Sequence, residues 1–102
     1  MKLKPDSLNR VRVWAAELNR RKDEVLATLR DEQVVVESVF LDRTSDGDFL
    51  IYYMRAWNLE DASRTARRSE HDIDAYHGQF KRDTWESQEP LELLIDFENF
   101  AE

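Results

Sequence analysis

Apolar residues recur every three or four positions over the first third of the chain, a spacing typical of an amphipathic helix. The stripe consists of Leu8, Val11, Trp14, Ala15 and Leu18, followed after a polar run by Val25, Leu26 and Leu29. One helix over residues 7–32 would be about 39 Å long, whereas a strand of about six residues spans about 20 Å. Because the stripe is interrupted near Asn19, we expect the helix to bend or break there.

Two strands follow, over residues 34–42 and 48–56, and both are apolar on each face. Side chains alternate between the two faces of a strand. In the first strand, alternation places Val34, Val36 and Phe40 on one face and Val35, Val39 and Leu41 on the other. A sheet with one face in water would alternate apolar with polar residues. The second face therefore needs a cover, and we expect a second copy of the chain to supply it, forming a homodimer through the sheet.

The connection between these strands has the chemistry of a tight hairpin turn. The sequence Ser-Asp-Gly at 45–47 predicts a three-residue turn with Gly47 in the left-handed region of backbone space, which glycine adopts without a steric penalty. The register of such a turn brings Glu37 opposite Arg55 on the neighbouring strand. We therefore expect a cross-strand ion pair between these two side chains.

The remaining elements complete a mixed α+β fold. Residues 1–5 are predicted to form a short first strand. Asn58 begins a second helical region, which restarts near Ser69, where the sequence resembles a capping box. After Pro90, the segment Leu91–Phe97 reads as the last strand. The order of elements predicts a ferredoxin-like βαββαβ fold, with a four-stranded antiparallel sheet and the helices on one face. We expect a single domain over residues 1–102.

Composition excludes several classes of partner. Lys and Arg number 15 against 22 Asp and Glu, and the net charge of −7 disfavours the phosphate backbone of nucleic acids. The chain has no cysteine, so we expect no disulfide and a reducing, cytoplasmic location. No apolar run approaches the roughly 20 residues of a membrane span, so we expect no membrane partner. With only Gly47 and Gly78, the chain has no glycine-rich phosphate loop, and we expect no cofactor.

The most suggestive group of polar residues is His71, Asp74 and His77, spaced three apart on a predicted helix. This spacing turns the two imidazoles about 120° apart, so joint binding of one metal is awkward and we expect no metal site. Asp74 could instead accept a hydrogen bond from one imidazole and fix its tautomer for acid–base catalysis. The alternative is structural: His77 packs in the core beside Ile73 and Phe80, and His71 is an exposed first-turn residue.

Five further residues are candidates for ligand binding. Tyr52 and Tyr53 point to opposite faces, so one of them lies with the helices, where its hydroxyl could orient a small polar ligand or simply fill space. Glu37 and Arg55 could form a charged pair in a pocket or within a subunit interface. Trp57 ends a strand and could line a pocket or the rim of a dimer.

Three stretches of the chain resemble a known family. Residues 35–40, residues 48–54 and the sequence His-x-Ile-Asp-x-x-His at 71–77 are similar to those of an uncharacterised bacterial family, a domain of unknown function with the dimeric α+β barrel architecture. The resemblance implies a ferredoxin-like subunit whose sheet packs against a second sheet in a homodimer, and it carries no established activity. The wider superfamily includes cofactor-independent monooxygenases, haem-degrading enzymes and small dimeric ligand binders, many with a pocket between sheet and helices.

Two functional hypotheses follow. In the first, the protein binds a small molecule in a pocket between sheet and helices. A catalytic version of this hypothesis makes the protein a cofactor-independent enzyme. Either version predicts a cavity that reaches both a histidine and a strand side chain. In the second, the protein is a non-catalytic structural or regulatory binding module that acts as a dimer. That hypothesis predicts a filled interior and an exposed patch for a partner.

Overall fold

The computed structural model describes residues 1–99, which form an α+β fold with four strands and four helices. In chain order the elements are β1 (Lys2–Leu3), α1 (Leu8–Arg20), α2 (Lys22–Glu32), β2 (Val34–Thr44), β3 (Gly47–Ala56), α3 (Leu59–Arg67), α4 (Asp72–Thr84) and β4 (Trp85–Ser87). Every neighbouring pair of strands is antiparallel, and their order across the sheet is β2-β3-β1-β4. Within the described residues, no helix is long and apolar enough to cross a membrane.

The first helical region breaks once, as its interrupted apolar stripe predicts. Arg21 separates α1 from α2 with a backbone conformation (φ −103°, ψ 37°) outside the helical range. Its N–H still donates to the carbonyl of Glu17 at 3.0 Å, and its guanidinium donates to the carboxylate of Glu24 at 2.6 Å. The polar run at the corner therefore stabilises the break locally, and α2 folds back toward the start of β2.

The core lies between the helices and one face of the sheet. Its fully buried apolar members are Leu3, Val11, Trp14, Leu50 and Phe80. The indole of Trp14 stacks on the ring of Phe80 with 4.3 Å between centroids, which joins α1 to α4. Burying a side chain of this size contributes roughly 1.5–3 kcal/mol, so these few contacts account for much of the stability of a small domain.

The hairpin between β2 and β3 has a different register from the predicted one. Thr44 pairs with Gly47, so the loop contains two residues, and the expected three-residue turn is wrong. The Thr44 hydroxyl donates to the carbonyl of Gly47 at 2.7 Å and accepts from the N–H of Asp46 at 3.1 Å, which holds the tighter loop closed. Gly47 does adopt a positive φ, of 126°, the conformation for which glycine was expected.

This register also removes the expected cross-strand ion pair. Glu37 lies opposite Met54 rather than Arg55, so the two charged side chains point to opposite faces of the sheet and the predicted Glu37–Arg55 pair is wrong. Arg55 instead forms ion pairs with Asp96 and Glu98, near the C-terminal end of the described chain.

The two faces of the hairpin differ sharply in burial. Val39, Leu41 and Tyr52 pack against the core under the helices, together with the buried Leu50. The outer face of the hairpin consists of Val36, Phe40, Ile51 and Tyr53. Three of these residues stay largely exposed within one chain, with Val36 at 40 %, Phe40 at 59 % and Tyr53 at 45 %. An exposed apolar surface of this kind is unusual in a protein that works alone.

A register shift between Val34 and Val36 corrects the predicted division of β2 between faces. Val34 is buried, whereas Val36 is exposed on the outer face, so the expectation that both share one face is wrong. An extra residue in one strand of a pair reverses the alternation beyond it. Here that residue is Val35, which lies exposed between the two.

The last strand is not where the sequence placed it. β4 is Trp85–Ser87, directly after α4, and it pairs with β1. Because β1 has only two residues, it cannot pair with a longer strand. The predicted strand Leu91–Phe97 is therefore wrong: residues 88–99, which we term the C-terminal arm, contain neither helix nor strand. The five large apolar side chains of this arm are between 68 % and 90 % exposed.

Candidate functional site

A group of polar side chains lies in the layer between the sheet and the helices, and we term it the inner polar cluster. Its members are Glu32 at the end of α2, Glu37 on β2, Tyr52 on β3, Asp74 and His77 on α4, and Trp85 on β4. The ring of Tyr52 connects two of these elements, with its centroid 6.2 Å from that of His77 and 5.4 Å from that of Trp85. Five elements thus bring titratable and aromatic groups to one place.

His77 is packed and holds a defined tautomer. Its ring stacks with Trp14 at 5.5 Å between centroids, and its Nδ1 accepts a hydrogen bond from the indole Nε1 of Trp14 at 3.1 Å. Because Nδ1 accepts, the proton of the neutral ring is assigned to Nε2. Burial, and then the charge of Lys81, lower the pKa of His77 to about 4. At neutral pH this side chain is therefore a hydrogen-bond donor through Nε2 and a poor general base.

The motif of two histidines and an aspartate does not form a connected triad. Asp74 accepts a hydrogen bond from the hydroxyl of Ser69, and the Nε2 of His71 lies 2.7 Å from a carboxylate oxygen of Asp31 on α2. The expected bond between Asp74 and an imidazole is therefore wrong. His71 precedes the first turn of α4 in an extended conformation, which turns its side chain toward α2 and away from His77. Within residues 1–99, no group of three or more His, Asp or Glu is placed to hold a metal ion.

The two histidines should titrate far apart. The hydrogen bond to Asp31 raises the pKa of His71 above its usual value, whereas the pKa of His77 lies at about 4. Since the chain has two histidines, their Hε1 protons can be followed individually by NMR. Asp31→Asn should lower the midpoint of His71 and leave that of His77 unchanged. A midpoint for His77 close to the ordinary value of about 6.5 would show that its ring is hydrated.

The low pKa of His77 also has a defined effect on stability. The unfolded chain binds a proton at this residue near pH 6.5, whereas the folded chain does so only near pH 4. Protons therefore favour the unfolded state between these values, and the contribution of His77 to stability is lost as the pH falls through that range.

Tyr52 and Trp85 carry buried polar groups that no described residue satisfies. The hydroxyl of Tyr52 and the Nε1 of Trp85 are both shielded from solvent, and neither makes a hydrogen bond within residues 1–99. Burial, and then the charge of Glu37, raise the pKa of Tyr52, and the nearby indole N–H of Trp85 opposes this rise. A buried donor without an acceptor costs about 1–3 kcal/mol, so a polar atom from outside the chain would be favoured here.

Two carboxyl groups in the cluster hold their protons unusually well. Burial, followed by the charges of Asp74 and Glu37, raises the pKa of Glu32 to about 7, against an opposing effect of Lys81. Burial likewise raises the pKa of Glu37. A carboxyl group that titrates near neutral pH suits general acid–base chemistry better than an ordinary glutamate does.

Glu32 was not among the residues predicted from the sequence, although one feature of the sequence indicated it. Val25 and Leu29 belong to the apolar stripe of α2, and Glu32 takes the next position on that side of the helix. An acidic residue on an apolar stripe is buried against its preference. Trp85 also belongs to the cluster, whereas Trp14 is a core residue, as its place on the apolar stripe of α1 predicts.

A pocket of about 360 Å³ opens between α2, α3 and the connection from α3 to α4, and it reaches one side of the cluster. Its lining residues are Thr28, Asp31, Glu32, Thr65, Arg68, Ser69, Glu70 and His71. Glu32 therefore belongs both to the pocket wall and to the inner polar cluster. The small-molecule hypothesis predicts a cavity that reaches both a histidine and a strand side chain. This pocket reaches His71 rather than His77 and no strand residue lines it, so it does not meet that prediction.

The remaining candidates lie elsewhere. Tyr53 and Arg55 are on the outer side of the sheet, and Trp57 follows β3 with 82 % of its surface exposed. The structure thus brings Glu37, Tyr52 and the residues of α4 together. Tyr53, Arg55 and Trp57 lie apart from this group. The expectation that Tyr52 and Tyr53 divide between the two faces is confirmed.

Comparison with known proteins places the chain within a family. No curated protein and no solved structure matches it. A family model matches residues 1–102, the entire sequence, which confirms the expected membership of an uncharacterised domain family. The chain belongs to DUF6176, a family of unknown function.

Proposed function

We propose that this protein binds a small planar molecule carrying a carbonyl or hydroxyl group between its sheet and helices. The observation that carries the proposal is the pair of buried, unpartnered donors, the hydroxyl of Tyr52 and the indole N–H of Trp85. Both would be satisfied by one oxygen of a ligand. The rings of His77 and Trp85 lie beside Tyr52, with 6.2 Å and 5.4 Å between centroids, and such aromatic surroundings favour a planar molecule.

The architecture we propose is a ferredoxin-like βαββαβ subunit that forms a dimeric α+β barrel. Support comes from the antiparallel order β2-β3-β1-β4, with a hairpin between β2 and β3 and helices in both crossovers. The exposed outer face of β2 and β3 supports a homodimer through the sheet. We also propose a cytoplasmic location, because a chain without cysteine forms no disulfide and so has no need of an oxidising compartment.

A catalytic form of this function would rely on Glu32. Its carboxyl group has a pKa of about 7 and lies between the pocket and the inner polar cluster, so it could exchange a proton with a bound ligand at neutral pH. His77 would donate a hydrogen bond rather than accept a proton, since its pKa lies at about 4. This assignment moves the acid–base role from the histidines to a carboxyl group.

Tyr52→Phe tests the observation on which the proposal rests. Removing an unsatisfied buried hydroxyl should leave the ligand-free protein unchanged or more stable, by up to about 1 kcal/mol, in urea unfolding. The same variant should weaken binding of a phenolic aldehyde probe, 4-hydroxybenzaldehyde, by about tenfold in calorimetry, because one hydrogen bond is lost. Tyr53→Phe is the matched control on the opposite face of the sheet and should leave the affinity for the probe unchanged.

A clear loss of stability in ligand-free Tyr52→Phe would show that the hydroxyl has a partner within the fold, and the proposal would lose its main support. Equal effects of Tyr52→Phe and Tyr53→Phe on the affinity for the probe would also contradict it.

A second candidate function is a non-catalytic binding module that acts as a dimer. The close stacking of His77 with Trp14 and the exposed apolar surface of the sheet favour it. In that case Glu32→Gln and Tyr52→Phe would leave function intact, and substitutions on the outer face would remove it.

A further inference from the structure

Two apolar surfaces of the chain remain uncovered within one subunit. The first is the outer face of the hairpin, formed by Val36, Phe40, Ile51 and Tyr53. The second is the C-terminal arm, whose exposed apolar residues are Leu91, Leu93, Leu94, Ile95 and Phe97. Each surface has the composition of an interface core, and exposing both to water is costly.

An electrostatic contact holds the arm on the side of the sheet where the outer face lies. Arg55 belongs to the same side of β3 as Tyr53, and its guanidinium pairs with Asp96 and Glu98 of the arm. The arm leaves the sheet at β4, on one edge, and has reached β3 by these residues. The arm and the outer face are therefore neighbouring parts of one surface rather than two unrelated patches.

The length of the arm allows it to reach beyond its own subunit. Twelve extended residues span about 40 Å, whereas crossing four strands requires only about 15 Å. While Arg55 holds Asp96, the apolar side chains beside it still point into solvent instead of covering the outer face of their own chain. They are thus presented to a neighbouring molecule.

We propose that the C-terminal arm of each subunit packs on the outer face of a second copy of this chain. This inference rests on the homodimer proposed above and adds the segment that closes it. A two-fold axis makes each contact occur twice, so both arms and both outer faces are covered by one symmetric interface. The acidic residues of the arm, paired with Arg55, remain at the polar rim that such interfaces have.

Cysteine cross-linking tests this exchange directly, because the natural chain has no cysteine. Full-length Phe40→Cys and Leu94→Cys chains with tags of different mass are co-expressed, purified and oxidised. We expect a disulfide between the two kinds of chain, seen as a mixed dimer under denaturing conditions and lost on reduction. Ser63→Cys, on the exposed part of α3, replaces Phe40→Cys as the control and should give no mixed product.

The other outcomes separate the two proposals. If light scattering gives a dimer but no mixed disulfide forms, the arm exchange is overturned and the homodimer stands. If a chain carrying both cysteines closes only on itself, the arm covers its own outer face and the exchange is likewise overturned. If the unmodified protein is a monomer, both the homodimer and the exchange are wrong.

Discussion

Val39→Asp should unfold the subunit, whereas Phe40→Asp, one position further along the same strand, should leave it folded. Val39 packs against the core and pairs with Tyr52, so an aspartate there would be buried in an apolar layer beside the carboxyl of Glu37. An unpaired buried charge costs several kcal/mol, which is comparable to the whole stability of a small domain. Phe40 points outward, and an aspartate in its place remains hydrated in the monomer.

Circular dichroism with urea unfolding measures the first effect, and light scattering measures the second. Val39→Asp should lose its cooperative transition. Phe40→Asp should keep its transition but disrupt the proposed homodimer, so that its mass is that of a monomer. Phe40→Leu is the control, because it retains an apolar side chain and should remain dimeric. The reverse pattern, with a folded Val39→Asp and an unfolded Phe40→Asp, would mean that the strand is slipped by one residue.

Trp14→Ala should lower the free energy of unfolding by about 3–5 kcal/mol. The change removes the stack on Phe80 and the hydrogen bond to the Nδ1 of His77, and leaves a cavity where α1 meets α4. Trp57→Ala removes an equally large side chain from an exposed position, so it should change stability by less than about 0.5 kcal/mol. Urea unfolding of both variants provides the comparison, and similar losses would contradict the assignment of Trp14 to the core.

Trp14→Phe separates the hydrogen bond from the packing. It keeps an aromatic ring at the core but removes the donor that stabilises neutral His77. The NMR midpoint of His77 should therefore move up from about 4 toward its ordinary value. An unchanged midpoint would show that burial and the charge of Lys81 set this pKa without the hydrogen bond.

Local patterns in the sequence predicted the elements well, and long-range pairing less well. The break near Arg21 followed from the polar interruption of an apolar stripe, and both hairpin strands followed from their composition. The turn was ambiguous because Ser-Asp-Gly suits loops of either two or three residues. The two-residue loop is stabilised by hydrogen bonds of the Thr44 hydroxyl, which the composition of the turn does not predict. The resulting shift of one residue in the pairing of β2 with β3 then removed the expected pairing of Glu37 with Arg55.

The C-terminal arm shows a second limit of sequence patterns. Leu91–Phe97 has the composition of a strand, but a strand also needs a partner edge, and β1 with two residues is occupied by β4. Part of the site was predictable, since alternation placed one tyrosine under the helices. Glu32 was missed because its pKa is raised mainly by burial, then by the charges of Asp74 and Glu37, and that burial arises only when α2 packs in the folded chain.

The three tryptophans occupy three separate environments, which makes the protein its own spectroscopic probe. Trp14 is buried in the core, Trp85 belongs to the inner polar cluster, and Trp57 is exposed to solvent. Their fluorescence should accordingly differ in wavelength and in access to aqueous quenchers such as iodide. Single-tryptophan versions would let time-resolved emission follow the interior, the cluster and the surface independently, without an attached dye.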